Sequence, residues 1–154
     1  MRTAVAVLLG ASLAGGACGH PAPPPPPPAP AAARAGPGLY ARLGGVNAIR
    51  TVVGDFLARV AADGRINAFF RGVDLDSLQT KLTDQICQAT GGPCRYAGKG
   101  MREAHADMTI TDGDFDALIE DLAGALDHAG VGPSEERELL GTLNGLRGEI
   151  VTRR

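Results

Sequence analysis

The chain has 154 residues, 44% of them hydrophobic, which is enough to bury one core and favours a single domain. Its formal net charge is −2, and its lysines and arginines are scattered without forming a basic stripe, so no nucleic acid partner is expected. Eight of its eleven prolines lie between Pro21 and Pro30, which confines the globular part to the residues after Gly38.

The first 17 residues have the pattern of a secretory signal peptide, and export is therefore expected. Arg2 supplies a basic start, Thr3 to Ala14 form an apolar stretch too short to span a membrane, and small residues follow. Cleavage after Ala17 would leave Cys18 free for lipidation, giving a membrane-tethered periplasmic lipoprotein. Cleavage in an ordinary Gly15-x-Ala17 frame is the alternative. Residues 18–38 then form a proline-rich tether, because such chain adopts extended polyproline II and acts as a stiff spacer.

Hydrophobic residues recur at spacings of three and four from Leu39 onward, which predicts helices. Gly44 and Gly45 indicate a turn between a short first helix and a longer second one, which Asp63 and Gly64 end. The apolar stripe of the second helix consists of Val46, Ile49, Val53, Phe56, Leu57 and Val60.

An aromatic corner, Asn67–Phe70, comes before the third predicted helix. Asp74 or Asp76 can cap that helix, and Gly91–Pro93 ends it because glycine favours a helix end and proline cannot continue one. Its apolar stripe is Leu75, Leu78, Leu82, Ile86 and Ala89.

Three further helices are predicted in the last third of the chain. A short one carries His105, Thr111 or Asp112 starts the next, and the last follows the break at 130–134 and extends to Ile150. No segment alternates with a period of two. The predicted fold class is therefore all-α, with five or six helices.

His105 is the candidate metal ligand of the chain. It lies among Met101, Met108 and Ile110, and a neutral imidazole in apolar surroundings can bind a metal or haem iron through one ring nitrogen. A histidine that simply packs in the core is the alternative. No Cys-x-x-Cys-His motif precedes His105, so a haem would be held without covalent attachment, as haem b.

Several motifs in order resemble one family, the group 1 truncated haemoglobins. They are Leu39-Tyr-Ala-Arg-Leu-Gly-Gly45, Phe69-Phe70, Gly91-Gly-Pro93, Tyr96-x-Gly98, Met101-x-x-x-His105 and Ile110-Thr-x-x-Asp-Phe115. The resemblance covers residues 39–152 and implies a truncated globin, a two-over-two helical sandwich around haem.

The resemblance also implies a role for each matching residue. His105 would be the proximal ligand of the iron, Phe70 with Phe69 would stack on the porphyrin, and Lys81 would meet a haem propionate. The other cofactor-binding residues would be Leu75, Leu78, Leu82, Ile86, Tyr96, Met101, Ile110, Phe115, Ile119 and Leu143.

The distal ligand pocket, formed by Phe56, Leu57, Leu78 and Leu82, departs from the family pattern. Members usually carry a tyrosine and glutamines there, whereas the tyrosine position is Leu57 in this chain. Losing a hydrogen bond worth about 1.5–3 kcal/mol would speed oxygen release by about tenfold to a hundredfold. Gln79 and Gln85 are close by in sequence: either one enters the pocket, or both face solvent or neighbouring helices.

Cys87 and Cys94 bracket the turn at Gly91–Pro93. In an exported chain this pattern indicates a disulfide, and a pair of free thiols in the cytoplasm is the alternative. Zinc is not expected, because no second ligand pair has suitable spacing.

The function expected from the resemblance is reversible binding of a diatomic ligand (oxygen, nitric oxide or carbon monoxide) at a five-coordinate haem iron. A nitric oxide dioxygenase or a weak peroxidase, each needing a reductase as partner, is the enzymatic alternative. A domain that has lost haem and serves as an interaction module is the third.

Overall fold

The computed structural model describes residues 37–153, and every structural statement below concerns that range. The predicted signal peptide, most of the predicted tether and Cys18 lie outside the described residues. The described chain is all-helical, as predicted. Its helices are α1 (Leu39–Arg42), α2 (Gly45–Ala62), a 3-10 helix (Asn67–Phe70), α3 (Leu75–Ala89), α4 (Met101–His105), α5 (Asp112–His128), α6 (Pro133–Asn144) and α7 (Arg147–Ile150).

Helix α2 is at the centre of the fold, because it packs against α3 and against α5, while α5 also packs against α6. The main hydrophobic core lies where these helices meet. Val53, Val60, Leu126 and Leu139 are almost completely buried there. None of the described helices combines the length and the apolar character that crossing a membrane requires.

Local signals in the sequence explain where α3 and α5 begin. The Asp74 side chain accepts hydrogen bonds from the backbone N–H groups of Asp76 and Ser77, so Asp74 caps α3. Thr111 and Asp114 form a reciprocal capping box at the start of α5. These caps fix the ends of two helices that carry cavity residues.

The predicted last helix is interrupted, which corrects the expectation that it runs unbroken to Ile150. Helix α6 ends at Asn144, and α7 starts at Arg147. Between them, the Leu146 N–H donates to the Leu143 carbonyl at 2.9 Å, a tighter bond than that of an α-helix. The short helices α1 and α4 were predicted, whereas α7 and the 3-10 helix at Asn67–Phe70 are additional to the predicted set.

A second, smaller core lies beside α4 and α7. Its buried members are Ile110, Phe115 and Ile150, and Met101 and Met108 pack against them. This cluster lies under the segment that carries His105.

Candidate functional site

A largely apolar cavity of about 390 Å³ brings most of the predicted site residues together. Its volume falls within the range of small-molecule and cofactor pockets, about 300–1,000 Å³. The predicted residues that line it are Phe56, Phe69, Phe70, Leu78, Lys81, Leu82, Ile86, Tyr96, Met101, His105, Ile110, Phe115, Ile119 and Leu143.

His105 lines this cavity from the last position of α4. Its Nδ1 atom lies 2.7 Å from the carbonyl oxygen of Met101, one helical turn earlier. A carbonyl only accepts hydrogen bonds, so Nδ1 carries the proton and Nε2 keeps the free lone pair of the neutral ring. This is the arrangement in which a histidine can bind a metal through Nε2.

One wall of the cavity is formed by Leu78, Leu82 and Ile86 of α3, and Phe56 of α2 also lines the cavity. Gln85 also lines the cavity, and its Nε2 donates to the Met101 sulfur at 3.3 Å. A thioether is a weak acceptor, so this amide is held only loosely.

Gln79 lies away from the cavity. Its side-chain Nε2 donates to the Arg50 carbonyl of α2 at 3.1 Å, and a Cβ atom on Gly54 would come within 3.0 Å of it. Of the two glutamines considered from the sequence, Gln85 is therefore the one at the cavity.

Leu57 and Leu75, both predicted to line the same pocket, lie outside the large cavity. They line a separate space of about 270 Å³ together with Val60 and Phe70. Leu57 directly follows Phe56 in α2, and successive residues of an α-helix are rotated by about 100°. Phe56 therefore faces the large cavity, while Leu57 faces away from it. Leu75 is the first residue of α3, and its side chain is exposed.

Two lysines lie at the cavity, and each side chain is exposed to solvent. Lys99 pairs with Glu103 at 3.4 Å, a contact between two exposed groups that contributes little. Lys81 has no ion-pair partner among residues 37–153. Tyr96 closes this side: its hydroxyl donates to the Lys99 carbonyl at 2.9 Å.

Comparison with known proteins agrees with this geometry. Residues 38–152 match the family model described as bacterial-like globin. The group 1 truncated haemoglobin GlbN of Mycolicibacterium paratuberculosis is 37% identical over 114 residues, which cover 74% of this chain and 84% of the relative. The chain belongs to the group 1 truncated haemoglobins.

Solved structures of this family have the same fold. The truncated haemoglobin of Tetrahymena pyriformis in its Fe(III) form has a TM-score of 0.72 at 36% identity, covering 75% of this chain and 98% of that one. The two-over-two haemoglobin of Synechococcus in the cyanomet state, with covalently attached haem, has a TM-score of 0.72 at 32% identity, covering 76% and 100%. The chain is therefore a haem-binding globin with the two-over-two helical fold.

A disulfide in this truncated haemoglobin joins Cys87, fully buried near the end of α3, to Cys94, with the two Cα atoms 5.7 Å apart. Next to it, the Gln88 side-chain oxygen accepts from the Tyr96 backbone N–H at 2.7 Å. Both links connect α3 to residues 94–100, the loop that leads into α4.

The start of α5 and helix α7 make ordered polar contacts close to the smaller core. The Asp114 carboxylate accepts from the Thr111 N–H at 2.9 Å and from the Thr111 hydroxyl at 2.7 Å, and these bonds lower the pKa of Asp114. The Arg147 guanidinium lies 4.4 Å from the centre of the Phe115 ring and pairs with Asp112 at 3.1 Å.

Some residues at the cavity were missed in the sequence. Four of them, Leu118, Leu122, Leu146 and Ile150, have the helical spacing of ordinary core residues, so no signal separated lining from packing there. Gln85 was considered but not assigned to the pocket. The missed residues are Ile66, Val73, Gln85, Gly98, Lys99, Ala104, Met108, Asp114, Leu118, Leu122, Leu146 and Ile150.

Proposed function

We propose that this truncated haemoglobin holds haem b without a covalent link, uses His105 as the proximal ligand, and binds a diatomic gas reversibly. The observation that carries the proposal is the hydrogen bond from His105 Nδ1 to the Met101 carbonyl at the wall of the apolar cavity. Family members bind diatomic gases, so the ligand class follows from the family.

The residues at the cavity fit a haem group. A porphyrin is a flat apolar plate with two carboxylates on one edge. The apolar walls, including the Phe69 and Phe70 corner, suit the plate, and Lys81 and Lys99 suit the carboxylates. Lys81 fits especially well because no ion pair within residues 37–153 competes for it.

His105 is suited to act as the single protein ligand. Because its Nδ1–H is held by Met101, the ring tautomer and the ring direction are fixed before any metal arrives. Haem held by one neutral imidazole supplies an iron centre with an open sixth position for a gas. No second histidine lines the cavity in the described chain.

The distal residues would set the choice among gases. Leu78, Leu82 and Ile86 exclude water and donate no hydrogen bonds, which suits carbon monoxide and nitric oxide. Gln85 adds an amide donor to the same side, and its weak bond to Met101 leaves it free to turn toward a better acceptor. Oxygen, which gains partial negative charge on binding, would benefit most from that amide.

The amide of Gln85 also favours a second candidate function. Nitric oxide dioxygenation and weak peroxidase activity both benefit from a polar group that stabilises developing negative charge. Gln85 would supply that group, and a reductase would have to return the iron to the ferrous state.

Export to the periplasm is part of the proposal. The bond between Cys87 and Cys94 supports an oxidising compartment, since such bonds are rare in the cytosol. Lipidation at Cys18 would then tether the globin to a membrane through residues 18–38. Radiolabelled palmitate should enter the wild-type protein and not the Cys18→Ser variant; equal labelling of both would contradict the anchor.

The experiment that tests haem binding compares absorption spectra of wild type, His105→Ala and His128→Ala. His128 is the matched control, because it is an exposed histidine that pairs with Asp55 at the far end of α5. We expect a Soret band that shifts when carbon monoxide is added to reduced wild type and His128→Ala. The His105→Ala protein should lose this band and regain it with added imidazole.

Two results would contradict the proposal. If wild type supplied with haem shows no Soret band, this chain does not bind haem as proposed. If His105→Ala keeps the wild-type spectrum without imidazole, another residue is the proximal ligand.

A further inference from the structure

Helix α4, which carries His105, has little to hold it in its own sequence. It has five residues, and its N-cap, Gly100, makes no side-chain capping bond. So short a helix is marginal by itself, because nucleating a helix costs more than one turn returns. The position of His105 must therefore be fixed by contacts from elsewhere in the chain.

Helix α7 and the smaller core pack against α4. The segment that directly follows α4 is held by hydrogen bonds from Val151–Arg153, named here the C-terminal strap. The Thr152 hydroxyl accepts from the Ile110 N–H at 3.0 Å and donates to the Met108 carbonyl by a short bond. The backbone N–H groups of Thr152 and Arg153 both donate to the Ile110 carbonyl at 3.0 Å. One hydroxyl thus joins two backbone groups of the segment that follows His105.

The connection from the strap to His105 is short. The Met108 N–H donates to the His105 carbonyl at 3.0 Å, so the residue bonded to Thr152 is also bonded to the backbone of the histidine. The strap itself is anchored, because Ile150 is buried with Ile110 and Phe115 in the smaller core.

We propose that Thr152 is a positioning residue that sets the orientation of the His105 ring relative to the haem iron. The proposal rests on the proposed role of His105 as the proximal ligand. Thr152 touches neither the cavity nor the histidine ring, and it acts through Met108 and Ile110. Groups hydrogen-bonded directly to a metal ligand typically change metal affinity by about 10–100-fold when removed, and Thr152 lies further out, so its effect should fall at the lower end of that range.

The test uses the haem-loaded full chain with Thr152→Val, Thr152→Ser and the control Thr142→Val. Valine keeps the shape of threonine but removes the hydroxyl, and serine restores it. Thr142 is a matched threonine of α6, exposed and bonded only to the Glu138 carbonyl of its own helix.

Two readouts are taken on each variant. The first is the rate of haem transfer to excess apomyoglobin, and the second is the iron–histidine stretching band of the ferrous protein by resonance Raman. We expect Thr152→Val to lose haem about tenfold faster and to shift or broaden the band. Thr152→Ser and Thr142→Val should resemble wild type.

An unchanged iron–histidine band in Thr152→Val would overturn the proposal even if haem were lost faster, because stability alone would then explain the loss. Should Thr152→Val fail to fold, Thr152→Cys keeps the test open, since a thiol is a weak donor and acceptor and should give an intermediate band. If wild type itself shows no iron–histidine band, the proximal role of His105 has failed instead.

Discussion

The two walls of the cavity are built in different ways. The wall that would be distal in a haem site belongs to α3, a helix of 15 residues packed on α2, and buried residues such as Ile86 and Cys87 join it to the main core. The wall that would be proximal is α4, a short helix over a smaller core, and hydrogen bonds from the C-terminal strap hold the segment that follows it.

This contrast separates stability from ligand geometry. Side chains in the distal wall take part in the main core, so changing them should change the unfolding free energy. Contacts of the proximal wall are few and directional, so changing them should alter where His105 lies more than whether the domain folds. The following predictions test that separation, from the largest expected effect to the smallest.

Truncating the distal wall should destabilise the domain most. Ile86→Ala is expected to lower the unfolding free energy by about 2–5 kcal/mol, because it leaves a cavity at a buried position. Met108→Ala, at a partly buried position of the smaller core, is the matched change on the proximal side and should cost clearly less. Urea unfolding of the haem-loaded variants measures both, and equal costs would contradict the contrast.

Removing the link between the walls should have the next largest effect. Replacing Cys87 and Cys94 together by serine is expected to cost about 2–3 kcal/mol, since the bond closes a short loop. Urea unfolding with and without a reductant tests this. Reductant should lower the midpoint of wild type and leave the double variant unchanged; no response of wild type would mean that the bond does not contribute.

Gln85→Leu should change ligand kinetics at the distal wall. Losing its amide is expected to speed oxygen release by about tenfold to a hundredfold, because a hydrogen bond to a partly charged ligand is lost. Stopped-flow mixing of the oxygen complex with carbon monoxide measures the rate. Gln79→Leu is the control, since that amide is bonded to Arg50 outside the cavity. Identical rates in wild type and Gln85→Leu would show that the leucines alone set oxygen release.

The smallest expected effect concerns the cap of α5 and depends on pH. The pKa of Asp114 is lowered in the folded state, chiefly by the hydrogen bond from the Thr111 backbone. The ionised carboxylate of Asp114 therefore stabilises the fold at pH values above the usual aspartate pKa. This stabilisation is lost as the pH falls through the lowered pKa of the folded state. Asp114→Asn should therefore cost about 0.5–2 kcal/mol at pH 7 and progressively less below about pH 4.

Chemical denaturation at several pH values tests this expectation. Asp107→Asn, in the exposed turn after α4, is the control and should show no comparable convergence with wild type. A constant difference between wild type and Asp114→Asn at every pH would contradict the role of the ionised carboxylate.

Features set by local sequence were predicted well. The caps at Asp74 and Thr111, the helical fold and the grouping of most cavity residues around His105 follow from periodicity and from the family resemblance. These features could be predicted because each depends on residues that are close in the chain or on motifs that occur in the same order as in the family.

Features set by packing or by distant contacts were not predicted. Gln85 is at the edge of the α3 stripe, where an angle of 100° per residue does not decide between the cavity and solvent. Leu57 and Leu75 were placed in the pocket by correspondence with the family, but helix rotation and exposure put them elsewhere. The strap joins residues 42 positions apart, and no local pattern records such a bond.

Gly92 has a consequence for how this sequence can vary. A Cβ atom there would lie 2.5 Å from the Tyr40 ring and 2.6 Å from the Cys87 sulfur, so the position has no room for a side chain while both neighbours are present. A substitution at Gly92 is therefore tolerable only together with changes at both Tyr40 and Cys87. These positions should consequently be inherited as a set, and lineages that lose the cysteines should accept alanine or serine at position 92 only where Tyr40 is also replaced.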